Sequence, residues 1–181
     1  MSGKTVFIDR DGVINEIILR QGKQSSPHDL TELRLIEAAR PALMDLASCG
    51  FFLILVTNQP DIARKEMTVS ALETIHRAIV QWLGGEKVIR DIMVCPHRSE
   101  DQCVCRKPKP GMLFDAAKKW GITLDQSFII GDRDVDMETG FMAKCKTILI
   151  NQPYNQGIRS DYRAKDIQDA CHWIKNYEGQ A

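Results

Sequence analysis

Residues 95–105 read Cys-Pro-His-Arg-Ser-Glu-Asp-Gln-Cys-Val-Cys and run directly into Arg106 and Lys107. Three thiols and an imidazole in one short polar loop, beside two cations, suit a disulfide pair, a metal site or an active centre. Elsewhere, polar groups stand directly behind apolar runs: Asp9-Arg10-Asp11-Gly12, Thr57-Asn58-Gln59 and Gly131-Asp132. A cluster of carboxylates holds a hard cation such as Mg²⁺, which keeps several waters and reaches for phosphate oxygens. A lysine on the other side of the same phosphoryl group would complete its neutralisation. Taken singly, each piece is ordinary, since Asp-x-Asp behind a strand also makes turns and helix caps. Their joint order is the specific signal.

Such chemistry needs one edge on which the pieces meet. Thr5–Ile8 and the stretches 51–56, 89–94, 127–130 and 147–150 are short apolar runs of strand length. Helices are predicted over 37–48, with Pro41 in the first turn and Gly50 beyond the end, and over 112–120, closed by Gly121. Another is expected from Ser70, paired with Glu73 as a capping box, with Leu72, Ile75, Ile79 and Leu83 on one face before Gly84-Gly85. Further helices are expected over 137–144 and 164–175. The polar stretch 15–30 reads as a surface loop. Strands alternating with helices predict an α/β domain around a mostly parallel sheet, and ligands of such sheets sit beyond the carboxyl ends of the strands. Asp9, Thr57, Lys107 and Asp132 all fall there.

The chain has 181 residues, enough for one domain with a sizeable core, and 1–181 reads as one domain without repeat or linker. It is 44% apolar and 27% charged with zero formal net charge, which lacks the basic footprint of a nucleic-acid binder. No apolar run is long enough to span a membrane. Met1 to Lys4 lead into the first strand without signal-peptide organisation, so a cytoplasmic location with reduced thiols is expected. That argues against disulfides at 95–105. Cys49, Cys145 and Cys171 are expected to be small core residues. His28, His76 and His172 are expected to serve surface or packing roles.

In order along the chain, Phe7-Ile8-Asp9-Arg10-Asp11-Gly12-Val13-Ile14-Asn15, Val56-Thr57-Asn58-Gln59, Arg106-Lys107-Pro108 and Gly131-Asp132-Arg133-Asp134-Val135-Asp136 resemble the four motifs of the haloacid dehalogenase-like phosphatase superfamily. Cys-Pro-His followed by Cys-x-Cys-Arg-Lys-Pro resembles its zinc-loop branch, which holds heptose-bisphosphate and histidinol-phosphate phosphatases. The resemblance implies a three-layer Rossmann-like domain with a zinc-stabilised loop at about 95–105 and no large cap domain. It implies Asp9 as nucleophile, Asp11 as general acid and base, and Thr57 and Lys107 on the phosphoryl oxygens. Mg²⁺ would be held by Asp9, the carbonyl of Asp11 and Asp132. Asn58, Gln59, Arg106 and Arg133 would face the substrate. Asp136 would orient a metal-bound water or cap a helix. Cys95, His97, Cys103 and Cys105 match the ligand set of a closed structural zinc site.

The chain departs from the heptose-bisphosphate pattern at Glu16 to Gly22, where an acidic Gly- and Tyr-containing loop is usual, and at Pro60-Asp61, in place of Ser-Gly. Ile62-Ala63-Arg64 and Pro110-Gly111-Met112-Leu113 resemble that subgroup, whereas the short spacing from His97 to Cys103 resembles the histidinol-phosphate one. The expected substrate is therefore a small phosphorylated metabolite, first a sugar bisphosphate, with histidinol phosphate as alternative. A weakly active zinc-stabilised binding module is the reading from a different class. Arg64 and Lys65 are expected either to face a second phosphate or to start a solvated helix. The expected oligomeric state is a monomer.

Overall fold

The computed structural model describes residues 4–177; Met1 to Gly3, read above as lacking signal-peptide organisation, lie outside the described residues. Six parallel strands form one sheet. In chain order they are β1 (Thr5–Ile8), β4 (Phe52–Asn58), β5 (Ile89–Cys95), β6 (Phe128–Gly131), β7 (Lys146–Ile150) and β8 (Tyr162–Ala164), arranged β5-β4-β1-β6-β7-β8. Two short antiparallel strands, β2 (Ile18–Arg20) and β3 (Lys23–Ser25), stand apart as a hairpin. The helices are α1 (Ala39–Ser48), α2 (Val69–Leu83), α3 (Gly111–Trp120), α4 (Asp134–Ala143) and α5 (Ile167–Asn176).

Parallel strands covered on both faces read as continuous apolar runs, and β1 is buried along its whole length. Its side chains divide between two cores. Val6 and Ile8 join Leu53 and Leu55 of β4 against α1, α2 and α5, through residues such as Leu43, Ile75 and Ile174. Phe7 joins Ile54, Val56 and Ile129 against Met112, Leu113 and Ala116 of α3, with Ala143 of α4. This is the three-layer, Rossmann-like arrangement expected, with no large cap domain among the described residues. No helix of the described residues is long and apolar enough to cross a membrane.

Several local expectations are corrected. The stretch 15–30 is not irregular throughout, because Gln21 (φ 51°) and Gly22 (φ 75°) form the two-residue turn of the hairpin. Helix α2 is capped by Thr68, whose hydroxyl accepts from the Ala71 amide, and not by a Ser70–Glu73 box. Helix α4 begins at Asp134, three residues early, because Asp136 accepts from the Arg133 amide at its start. Residues Tyr162–Ala164 are an edge strand, not the first turn of α5. Cys49 is exposed, while Cys145 and Cys171 are buried as expected.

Candidate active site and metal centre

Register aligns the functional residues. Ile8 of β1 pairs with Leu55 on one side and Ile130 on the other, so Asp9 leaves the sheet beside Val56-Thr57 and Gly131-Asp132. The Asp9 amide still donates to the Ile130 carbonyl at 2.9 Å, which fixes its position. On the far side of β4, Asn58 pairs with Cys95, so the cysteine loop starts level with the second motif.

Three buried carboxylates, Asp9, Asp132 and Asp136, bring oxygens within 4.8 Å of one another. Buried Lys107 lies among them, with Nζ 2.9 Å from Asp9 Oδ1, 2.5 Å from Asp136 Oδ1 and 3.1 Å from the Val56 carbonyl. Burial and the Asp136 charge raise the Asp9 carboxyl well above the usual carboxylate range, against the pull of Lys107. The same two causes push Asp132 up to about 6. Burial opposes the charge of Lys107, but Asp136 and Asp9 outweigh it and raise its pKa above the ordinary lysine value. One cation thus faces three carboxylates. Asp132 Oδ1 is buried with no hydrogen-bond partner among the described residues. A buried, orphaned carboxylate oxygen in an electron-rich cluster fits an oxygen-liganded divalent cation. Space is kept for this cluster by glycine: a Cβ on Gly12 (φ 86°) would collide with the Asp132 carboxylate, and one on Gly131 with that of Asp136.

Asp11 is held by five donor atoms from four side chains. Arg10 Nη2 lies 2.9 and 3.0 Å from its two oxygens and Nε 3.2 Å from Oδ1, which also accepts from Asn15 Nδ2 at 2.9 Å. Oδ2 accepts from Ser26 Oγ and Gln59 Nε2, both at 2.9 Å. Burial pushes its pKa up, but Arg10, Asn15 and Ser26 bring it below the ordinary carboxylate value. Arg10 is itself buried and meets His76 Nε2 at 3.1 Å.

A cleft of about 760 Å³ opens over this cluster, lined by Asp9, Asp11, Thr57, Asn58, Lys107 and, at its rim, five cations: Arg20, Lys23, Arg64, Arg106 and Arg133. Arg20 and Lys23 come from the hairpin and were missed in the sequence. Ser26 ties the hairpin's base to Asp11, while Asp61 holds it through Ser25 Oγ (3.4 Å) and His28 Nε2 (2.8 Å). His28 thus takes the packing role of the two expected, joining the segment after the hairpin to Asp61. Lys65 (φ 62°) does not line the cleft, whereas Arg64 does. Gln59, expected on the substrate side, is fully buried, does not line the cleft and donates to Thr57 Oγ1 at 2.8 Å. That bond occupies the hydroxyl as acceptor and leaves its hydrogen free to point into the cleft.

In the cysteine loop, the Sγ atoms of Cys95, Cys103 and Cys105 lie 3.2–3.6 Å apart. His97 Nδ1 is 3.3 Å from Cys105 Sγ and 3.7 Å from Cys95 Sγ. All six cysteines are free thiols. Zinc–sulfur bonds of about 2.3 Å in a tetrahedron put sulfurs about 3.8 Å apart, so this donor set fits zinc with slight expansion. The loop is braced to its C-terminal arm: Arg106 Nη1 donates to the His97 carbonyl at 3.1 Å and Lys109 Nζ to that of Cys103 at 2.7 Å.

Residues 104–170 match a family model described as HAD-hydrolase-like. The chain is 32% identical over 179 residues to D-glycero-β-D-manno-heptose-1,7-bisphosphate 7-phosphatase of Helicobacter pylori (strain J99), covering 96% of this chain and 98% of that one. It is 35% identical over 188 residues to the protein of the same name in Pasteurella multocida, covering 95% and 97%. The bifunctional histidine biosynthesis protein HisB of Legionella pneumophila is 35% identical over 136 residues, which is 75% of this chain and 38% of that protein. Among solved structures, D,D-heptose 1,7-bisphosphate phosphatase from B. bronchiseptica, complexed with magnesium and phosphate, superposes with a TM-score of 0.81. Its sequence is 27% identical, with 95% of this chain and 98% of that chain covered.

Proposed function

The chain belongs to the haloacid dehalogenase-like phosphatases, in the family of the heptose-bisphosphate phosphatases, and from that premise we propose that it removes one phosphate from a heptose bisphosphate or a similar sugar bisphosphate. The observation carrying this reading is the cationic rim. Of the five cations, Arg20 and Arg64 pair with Glu32 and Asp61, and Lys23, Arg106 and Arg133 supply the positive charge that supports binding of a second phosphate.

Asp9 attacks the phosphorus and the ester oxygen departs, leaving an aspartyl-phosphate; water then attacks that phosphorus and frees Asp9. Asp11 supplies a proton to the leaving oxygen and takes one from the water. Oδ1 stays with Arg10 and Asn15; at Oδ2, where Arg10 Nη2 and Gln59 Nε2 also donate, the Ser26 hydroxyl can turn from donor to acceptor as the proton comes and goes. Lys107 and the Thr57 hydroxyl bind the equatorial oxygens, and Asn58 holds the Lys107 backbone. Mg²⁺, which the fold family implies, would be held by Asp9, the Asp11 carbonyl and Asp132, and would supply charge neutralisation at the phosphoryl group. Asp136 reaches the Lys107 ammonium and the start of α4, so its role is to set that lysine. Zinc held by Cys95, His97, Cys103 and Cys105 would close the loop that leads into Arg106 and Lys107.

The test is a panel of sugar bisphosphates, their monophosphates and histidinol phosphate, assayed with Mg²⁺. A bisphosphate should give the highest kcat/KM, and Asp9→Asn should abolish turnover while keeping the fold. Preference for histidinol phosphate would favour the second reading, supported by the Legionella relative. Absence of turnover on every phosphate ester would leave only a binding module.

A further inference from the structure

A tight turn after β7 belongs to none of the motifs, yet it grips Asp132 from two directions. Asn155 is buried and donates Nδ2 to the Asp132 carbonyl at 2.8 Å and to the Ile150 carbonyl at 2.7 Å. Its own Oδ1 accepts from the Gln152 amide (3.0 Å) and Arg163 Nη1 (3.0 Å), so the asparagine is fixed. Arg163 Nη2 adds bonds to the carbonyls of Asn155 and Ile158. The turn is thereby rigid, and it presents Tyr154, whose hydroxyl donates to Asp132 Oδ2. The other carboxylate oxygen, Oδ1, is the buried atom without a partner among the described residues, in the cluster with Asp9 and Asp136.

We infer that Tyr154 is a positioning residue for the divalent-cation site: its hydroxyl pins one oxygen of Asp132 so that the other faces the cation. The inference rests on the proposed cation site at Asp9 and Asp132. A tyrosine suits the task chemically. It gives one hydrogen to one oxygen, and being neutral it does not displace a cation as a lysine would. A free carboxylate must lose rotational freedom when it binds a metal; one already pinned does not. Tyr154 is 48% exposed, so its ring contributes little core packing and loss of the hydroxyl alone opens no cavity.

The experiment measures Mg²⁺ binding by calorimetry on the zinc-loaded, Mg²⁺-free protein, with Tyr154→Phe and Asp132→Asn beside the parent. Tyr154→Phe should weaken Mg²⁺ binding by on the order of ten- to a hundredfold, the range for groups that orient metal ligands. Its activity should fall at limiting Mg²⁺ and recover as Mg²⁺ is raised. Unchanged Mg²⁺ affinity in Tyr154→Phe, with binding lost in Asp132→Asn, would overturn the inference and leave the cation site standing. Unchanged affinity in Asp132→Asn would overturn the cation site itself. Activity in Tyr154→Phe that stays low at saturating Mg²⁺ would show a structural role and also overturn the inference.

Discussion

Asn58 and Lys107 are joined in both directions: Asn58 Nδ2 donates to the Lys107 carbonyl and the Lys107 amide donates to Asn58 Oδ1, each at 3.1 Å. A side-chain amide here behaves like a neighbouring strand, holding the backbone of the lysine that meets Asp9. Asn58→Ala should therefore cost about 1–3 kcal/mol of stability through two lost backbone bonds. It should also lower kcat more than it raises KM, because Lys107 would lose its aim at the transferring group. Denaturant titration and steady-state kinetics check the two halves separately, and an effect confined to KM would return Asn58 to the substrate side.

The cysteine loop predicts close to one zinc per chain, measurable by elemental analysis of purified protein. Burial opposes the Cys103 thiolate, but the backbone amides around it bring its pKa down to about 7, which favours the ligand form. Cys103→Ser should lose the metal, lower Tm and reduce turnover, since Lys107 lies two residues beyond Cys105. Full activity in zinc-free protein would show that Arg106 and Lys109 brace the loop by themselves.

His76 supplies a pH dependence of stability. Burial, then the neighbouring Arg10 charge, lowers its pKa from 6.5 to about 4, so it stays neutral in the folded state. Below pH 6.5 the unfolded chain takes up a proton that the folded one refuses. Stability should fall as pH drops from 6.5 towards 4, by up to about 3 kcal/mol from this group, and be unaffected by it above 6.5. His76→Gln should flatten that part of the stability–pH curve. An unchanged slope would mean that His76 is protonated in the fold and that its contact with Arg10 is not as found.

At the rim, removing a cation that meets a phosphate should cost about 1.5–3 kcal/mol, or roughly ten- to a hundredfold in kcat/KM. Arg106→Ala and Lys23→Ala are each expected to impair a sugar bisphosphate more than its monophosphate. Equal losses on both substrates would place the residue at the transferring phosphoryl group.

The strands and the residues behind them were legible because buried parallel strands are nearly pure apolar runs, and a polar residue after such a run is conspicuous. The hairpin was not, since its strands are three residues each and Lys23–Ser25 is polar throughout. Its signal was the Gln21-Gly22 pair, which suits a turn needing two positive φ angles. Thr68 and Ser70 competed as caps of α2, and only the chain's path decides which hydroxyl reaches an amide. Gln59 was misplaced because motif spacing does not say whether a side chain faces cleft or core. Tyr154 had no signal at all: its partner Asp132 is 22 residues away, and the link is made by a turn that resembles any other.

The order of the sheet carries a consequence for how the molecule is made. β1 is the first strand along the chain, yet it lies at the centre of the sheet, between β4 and β6. As the chain leaves the ribosome, Val6, Phe7 and Ile8 must stay unpaired until Phe52–Asn58 has been synthesised on one side and Phe128–Gly131 on the other. Contacts of such long sequence separation form slowly, and the waiting apolar segment is open to wrong partners. Asp9, at the end of that strand, therefore joins Asp132 only when the last large section of the sheet closes. Competence should arrive all at once and late in biogenesis, and truncations that stop before β6 should yield an insoluble chain with no partial activity.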